Sequence, residues 1–214
     1  MTETLLHERL YRGADALAKL AARRIVLCGA GALGSLLADN LTRQGIRQLT
    51  VIDDDRIEQH NVGTQLYGLD DIGAYKTDAL RAHIFRATGV EIKTVRQRLD
   101  ERTAKKFLRD VDLVIDTFDN SAARRVVTEF CAAQSVPCLH LGMFQDYGEA
   151  RWNEQYRVPS DVVAPNVCDY PLARNLILLL VSVGSETLVR FILENNQENF
   201  SLTLRDLKIA PDVV

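Results

Sequence analysis

A chain of 214 residues is long enough to bury a substantial core, and 47% apolar with 26% charged residues is ordinary globular composition. A formal net charge of −3 gives no electrostatic case for nucleic acid or an anionic membrane surface. Residues 1–12 lack the apolar stretch of a signal peptide, the longest apolar run (176–181) is too short to span a bilayer, and the four cysteines form no CxxC pair, which argues against structural zinc and a disulfide framework. A cytoplasmic protein with reduced thiols is the expectation.

Residues 4–22 set charges against Leu and Ala at helical spacing and predict an amphipathic leading helix. Residues 24–27 are a short apolar run ending at a glycine cluster, a buried strand; 32–45 are helical, with a glycine close behind, and 48–52 are a second strand that runs into Asp53, Asp54 and Asp55. After a polar stretch at 56–67 come a helix at about 71–86, a strand at 90–95, a short helix at 101–108 and a strand at 111–115. A helix at 121–134 and a strand at 136–141 follow. Beyond Gly142 the character changes: 149–156 suit an antiparallel strand, 157–171 hold three of the five prolines in a loop, 172–194 are a long apolar helix, and 201–207 supply a last strand. Strands alternating with helices imply an α/β fold, a mostly parallel sheet with helices on both faces and antiparallel strands toward the C-terminus. Nothing resembling a linker divides the chain, so residues 1–214 are expected to form a single domain.

The segment RIVLCGAGALGS places G-x-G-x-x-G between a strand and a helix. Gly29 permits the tight turn, Gly31 lets the backbone approach phosphate, and Gly34 lets the helix pack on the strand, while the helix N-terminus offers N–H donors. Asp53, about twenty residues on at the end of the second strand, is where a ribose hydroxyl is bound in Rossmann-like folds. Taken alone these features suit NAD and ATP equally.

The run GAGALGSLLADNLTRQGIRQLTVIDDDRIEQHN resembles the opening of the ThiF/MoeB/HesA family, bacterial relatives of ubiquitin-activating enzymes. The family reads GxGGLGS, a helix, then LTLVDxDxVExSNLxRQ. VDLVIDTFDNSAARRVV is similar to its DLVxDxTDNxxxRxxx segment and VPCLHLGM to the following strand, and the likeness covers about residues 9–191. It implies an ATP site with Mg²⁺, built for adenylating a carboxylate. Gly29, Gly31, Leu33 and Gly34 would hold the nucleotide, Asp53 the ribose, and Lys76 the phosphates; Asp119 would hold Mg²⁺. Asn61, Asn120 and Arg124 match neighbouring motif positions, and Asp55 matches the second acid, with a structural hydrogen-bonding role equally open. Read without the resemblance, Lys76 is a solvated helix lysine, Asp119 an N-cap for the helix starting at Ser121, and Arg12 a surface residue. Within it, ERLYR is similar to the family's RYxRQ, and Arg12 would reach into a neighbouring subunit's ATP site as an arginine finger. That implies a homodimer or a pair with a related chain.

The chain departs from the pattern. Ala32 replaces the second paired glycine, Thr64 replaces the arginine that contacts the triphosphate, and the zinc-binding CxxC pairs of many relatives are missing, although Asn61 and Gln65 are retained. Losing that cation removes charge stabilisation from the transition state. Cys168 lies where some relatives carry a cysteine that attacks the adenylate; a small packed hydrophobe is the alternative, and neighbouring Asp169 disfavours a thiolate. Cys28, Cys131 and Cys138 read as structural, and His7, His60, His83 and His140 fit no metal constellation. The function that follows is ATP-dependent adenylation of the C-terminal carboxylate of a small β-grasp protein, ubiquitin-like or sulfur-carrier. The alternatives are a non-catalytic scaffold or dimer partner, motivated by Thr64, and, less favoured, an NAD-dependent oxidoreductase.

Overall fold

A computed structural model describes residues 3–160 and 171–211. The elements run α1 (Leu6–Arg12), α2 (Ala14–Ala22), β1 (Arg24–Cys28), α3 (Ala32–Arg43), β2 (Gln48–Ile52), α4 (Lys76–Thr88), β3 (Lys93–Val95), α5 (Glu101–Phe107), β4 (Leu113–Asp116), α6 (Ser121–Gln134), β5 (Cys138–Phe144), β6 (Tyr147–Trp152), α7 (Arg174–Glu194), β7 (Phe200–Thr203) and β8 (Ile209–Pro211). All eight strands join one sheet in the order β3-β2-β1-β4-β5-β6-β7-β8. The first five in that order pair in parallel, and β6, β7 and β8 add antiparallel to β5. This is the α/β architecture that the alternation implies.

Side chains on a strand point alternately to the two faces, so a sheet covered on both needs strands apolar throughout. In β1, Ile25 and Leu27 enter the core shared with α2, α3, α4 and α7, while Val26 and Cys28 enter the one shared with α5 and α6. The antiparallel β6 instead alternates, with Gly148, Ala150 and Trp152 buried and the residues between them half-exposed.

Several boundaries differ from the sequence reading, among them β6, which runs 147–152 rather than 149–156. The leading helix breaks at Gly13, whose φ of 88° ends α1 and whose N–H bonds to the Arg9 carbonyl at 2.9 Å. Helix α4 starts at Lys76 rather than near 71, because 69–71 form a 3-10 turn, Gly73 has φ 89°, and Tyr75 is drawn into an antiparallel bridge with Arg56. Strand β5 extends to Phe144 because it continues into a hairpin with β6. The last predicted strand is shorter and is followed by β8, which the sequence reading did not anticipate.

The unbroken apolar run at 176–181 understates α7, whose 21 residues are long and apolar enough to cross a membrane by length and composition. Here it is a core helix, with Leu176, Ile177, Leu180, Leu188 and Val189 all within about 1% of full burial. Its direction matters for the site. A Cβ on Gly148 would sit 3.2 Å from Leu180 and 3.5 Å from Leu176, whereas one on Gly184 would press into Leu141. Since Gly148 pairs with Met143, farther along β5 than Leu141, the N-terminus of α7 points toward the carboxyl edge of the parallel strands.

Candidate nucleotide site

Strand β1 lies between β2 and β4, so the winding reverses there, and sheets of this kind bind ligands in the crevice beyond the carboxyl ends at such a point. Gly29 leaves β1 with φ 98° and donates its N–H to the Ile52 carbonyl at 2.9 Å. Thr117, the residue after β4, donates its hydroxyl to the Cys28 carbonyl at 2.8 Å, tying the two strand ends. Gly34 packs α3 onto this turn so closely that a Cβ there would overlap the Gly29 carbonyl. At Gly31 a Cβ would meet no atom within 4 Å, so protein packing gives no reason for glycine, and the open space above the turn leaves room for a ligand to approach the backbone. Gly31 is also the N-cap of α3 and offers no side chain to the first-turn N–H groups. Leu33 is 5% exposed and packs into the core beneath the turn.

Asp53 braces the turn. One carboxylate oxygen accepts the Ala30 N–H at 2.7 Å and the other the Asp55 N–H at 2.8 Å. Burial pushes its pKa above the ordinary range, against the pull of Lys76 and those two N–H groups. Each oxygen keeps a lone pair, the acceptor capacity that ribose hydroxyls need. Beside it, Lys76 Nζ pairs with Asp55 Oδ2 at 2.7 Å, and the lysine side chain is 10% exposed against 63% for the aspartate. The Arg56–Tyr75 bridge and the Lys76 N–H, which donates to the Asp55 carbonyl at 3.0 Å, hold the pair in register. Lys76 is thus a buried ammonium rather than a solvated one.

The 58–67 segment folds over this turn. Tyr67 donates its hydroxyl to the Ala30 carbonyl at 2.7 Å, and the Leu66 N–H donates to Ser35 Oγ at 3.1 Å. Burial first, then the charge of Asp53, push the Tyr67 phenol well up, so it stays a donor at neutral pH. The Asn61 side chain accepts the Glu58 N–H at 2.9 Å and its carbonyl accepts those of Thr64 and Gln65, so Asn61 shapes the turn that carries Thr64.

On the other side of the crevice, Asp119 is exposed at the mouth of the β4–α6 turn. The N-cap of α6 is Asn120, accepting the Ala123 N–H at 2.9 Å, so capping does not fall to Asp119. Beneath the turn lies a buried polar cluster that the sequence reading missed. Asp116 accepts the Phe118 N–H at 3.0 Å, meets His140 Nδ1 at 2.8 Å and Arg124 at 3.4 Å. Arg124 also donates to the Tyr156 hydroxyl at 2.9 Å and the Leu141 carbonyl at 2.8 Å, and His140 stacks on Tyr156 and meets Asn153 Oδ1 at 2.9 Å. Burial opposes the charge on Asp116, but Arg124, His140 and the Phe118 N–H outweigh it and hold the carboxyl below its ordinary range. Arg124, though placed at the expected strand end, has its donors committed inside this cluster. A histidine within an apolar strand (LHL) and an aspartate closing an apolar run (LVID) were the signals.

A groove of about 480 Å³ opens between the segment after β3 and the start of α6, lined by Arg98, Leu99, Asp100, Ala122 and Ala123 among others. Arg12 is not at the crevice: it pairs with Glu8 at 2.8 Å and Glu186 at 2.7 Å on the flank of α7. Its side chain is only 11% exposed, so it is not a free surface residue. Cys168 lies outside the described residues. Cys28, Cys131 and Cys138 are buried and unoxidised, and burial pushes the Cys28 and Cys138 thiols well up. Among the described residues no three His, Cys, Asp or Glu side chains cluster as a preformed metal site.

A glycine turn at the switch point, a buried acid behind it and a buried lysine beside it define a Rossmann-like α/β protein with a candidate nucleotide site. The ThiF family model matches residues 6–160, and the chain belongs to the ThiF family. It is 28% identical over 140 residues to the SAMP-activating enzyme E1 of Haloferax volcanii, covering 64% of this chain and 52% of that one. It is 29% identical over 134 residues to the sulfur carrier protein ThiS adenylyltransferase of Bacillus subtilis, covering 61% and 40%. The chain thus spans about half or less of the length of these curated relatives. Among solved structures, E. coli MccB with ATP superposes with a TM-score of 0.80 at 16% identity, over 99% of this chain and 71% of that one. That likeness shows the fold.

Proposed function

We propose that this chain is an adenylyltransferase that activates the C-terminal carboxylate of a small β-grasp protein, ubiquitin-like or sulfur-carrier, with ATP and Mg²⁺. The observation that carries this reading is the gathering of Gly31, Asp53, Lys76 and Asp119 on one crevice. The ribose lies against Asp53, the adenine in the adjoining groove, and the phosphates against the glycine turn, the open first turn of α3 and Lys76. Lys76 keeps two donors besides the one on Asp55. Mg²⁺ commonly binds through one or two carboxylates and the phosphates themselves, which fits a lone exposed Asp119, and it would offset charge on the transferring phosphate. A carboxylate oxygen of the carrier attacks the α-phosphorus, the bond to the β-phosphate oxygen breaks, and pyrophosphate leaves with the electron pair.

The relatives support the substrate class, since one is a sulfur carrier protein adenylyltransferase and the other a SAMP-activating enzyme. A homodimer, with Arg12 serving the neighbour's site, fits the exposed Leu6, Leu10 and Tyr11 of α1, and requires Arg12 to exchange Glu186 for phosphate. A cytoplasmic setting fits the buried, reduced cysteines. Transfer of the acyl group to Cys168 is a separate step that an adenylating chain does not need.

ATP–pyrophosphate exchange dependent on candidate carriers tests the reading. Lys76→Ala and Asp119→Ala are each expected to lower exchange on the order of 10²–10³-fold, the effect of removing one preorganised charge-stabilising group. Little Mg²⁺-dependent ATP affinity, with no exchange on any carrier, would favour a non-catalytic partner, the reading that Thr64 motivates.

A further inference from the structure

Three observations converge on Arg174, the first residue of α7. The N-terminus of that helix points to the carboxyl edge of the sheet, as the packing of Leu176 and Leu180 on Gly148 requires. The guanidinium donates to the Gly63 carbonyl at 3.4 Å, and Gly63 belongs to the turn fastened onto the nucleotide loop through Leu66–Ser35 and Tyr67–Ala30. Finally, Arg174 is exposed and forms no ion pair among the described residues, unlike Arg12, Arg24, Arg43, Arg124 and Arg190, each facing a carboxylate.

One weak hydrogen bond uses one of five guanidinium donors. The remaining fork lies at the turn that carries Thr64, next to Gly63, and in the proposed pose Lys76 is already partly neutralised by Asp55. A triphosphate concentrates several negative charges that one lysine and the metal do not fully match, and a planar guanidinium suits phosphate oxygens in pairs. We propose that Arg174 is a catalytic residue of this site: α7 delivers to the phosphates the cation that position 64 does not carry. The assignment rests on the nucleotide reading above.

Calorimetric titration of the wild type, Arg174→Ala, Arg174→Lys and the double variant Arg174→Ala/Thr64→Arg with MgATP tests it, with adenosine as the phosphate-free comparison. Arg174→Ala is expected to weaken MgATP on the order of ten- to hundred-fold, the loss of a charged hydrogen bond, while adenosine affinity stays within about two-fold. Arg174→Lys should fall between, retaining charge without the fork, and Thr64→Arg should restore MgATP affinity in the Arg174→Ala background. MgATP affinity unchanged in Arg174→Ala overturns the assignment. So does an equal loss for adenosine, which would mark a merely structural role, and so does failure of Thr64→Arg to restore binding. A wild type that binds no MgATP sinks the nucleotide reading itself, and this assignment with it.

Discussion

Asp116→Asn is expected to lower the melting temperature on the order of 10 °C. Asp116 is fully buried, and its carboxylate is the one that ion-pairs with both Arg124 and His140 among the described residues. Removing one partner of a buried ion pair strands the other charge and costs about 3–5 kcal/mol, and each kcal/mol shifts the melting temperature of a protein of this size by about 2–4 °C. Replacing both charges is far less costly than replacing one, so Asp116→Asn/Arg124→Met should melt closer to the wild type than Asp116→Asn does. The pH dependence has a definite sign. A carboxyl held below its ordinary value of 3.8 contributes stability that is complete above that value and lost as pH falls through the lower folded one. Wild-type melting temperature should therefore drop steeply below about pH 4, more steeply than that of Asp116→Asn. Melting curves from pH 2.5 to 8 check both claims, and a variant within 2 °C of wild type at neutral pH would refute the account. The consequence reaches the site, because Asp116 also accepts the Phe118 N–H and so shapes the turn that carries Asp119.

How far the site was legible in the sequence follows from the range of its interactions. Gly29, Gly34 and Asp53 are legible because the turn is local: strand, glycine and helix start are consecutive, and the acid closes the next strand. Lys76 is legible as a position but not as a buried ion pair, since its partner Asp55 lies 21 residues away and meets it only through the Arg56–Tyr75 bridge. The Asp116–His140–Asn153 and Arg124–Tyr156 contacts join β4, α6, β5 and the chain beyond β6, and no periodicity encodes which polar residues of separate elements will face each other. Arg174 was invisible for the same reason, sitting 111 residues from the Gly63 carbonyl that it bonds. The break in the leading helix was legible in principle, since a glycine that takes φ 88° interrupts a helix at little strain, but amphipathic periodicity on either side masked it.

The glycines of the turn separate folding from binding, and the largest contrast is expected between Gly34→Ala and Gly31→Ala. At position 34 a Cβ would overlap the Gly29 carbonyl oxygen and lie 2.8 Å from both the Gly29 carbonyl carbon and Thr117 Oγ1. Two of these atoms are backbone, so no rotamer change relieves the clash; α3 must move off β1, or the turn must open. Overpacking of this kind costs about 1–3 kcal/mol, occasionally more, and it also displaces the crevice in which Thr117 and Asp53 hold the strand ends. Gly34→Ala should therefore lower both melting temperature and MgATP affinity. At position 31 φ is −80° and no atom lies within 4 Å of a Cβ, so alanine there meets no clash. The shorter list of unfolded conformations available to alanine should leave stability unchanged or raise it by up to about 1 kcal/mol. The same methyl group projects to where the turn's N–H groups would meet phosphate, and MgATP affinity should fall on the order of ten-fold or more, the loss of one charge-assisted hydrogen bond. Paired melting and titration of the two variants reads the difference: Gly31 is there for a ligand only if its alanine variant folds as the wild type does and binds worse. If Gly31→Ala binds MgATP normally, the phosphate lies elsewhere and the nucleotide pose along this turn is wrong.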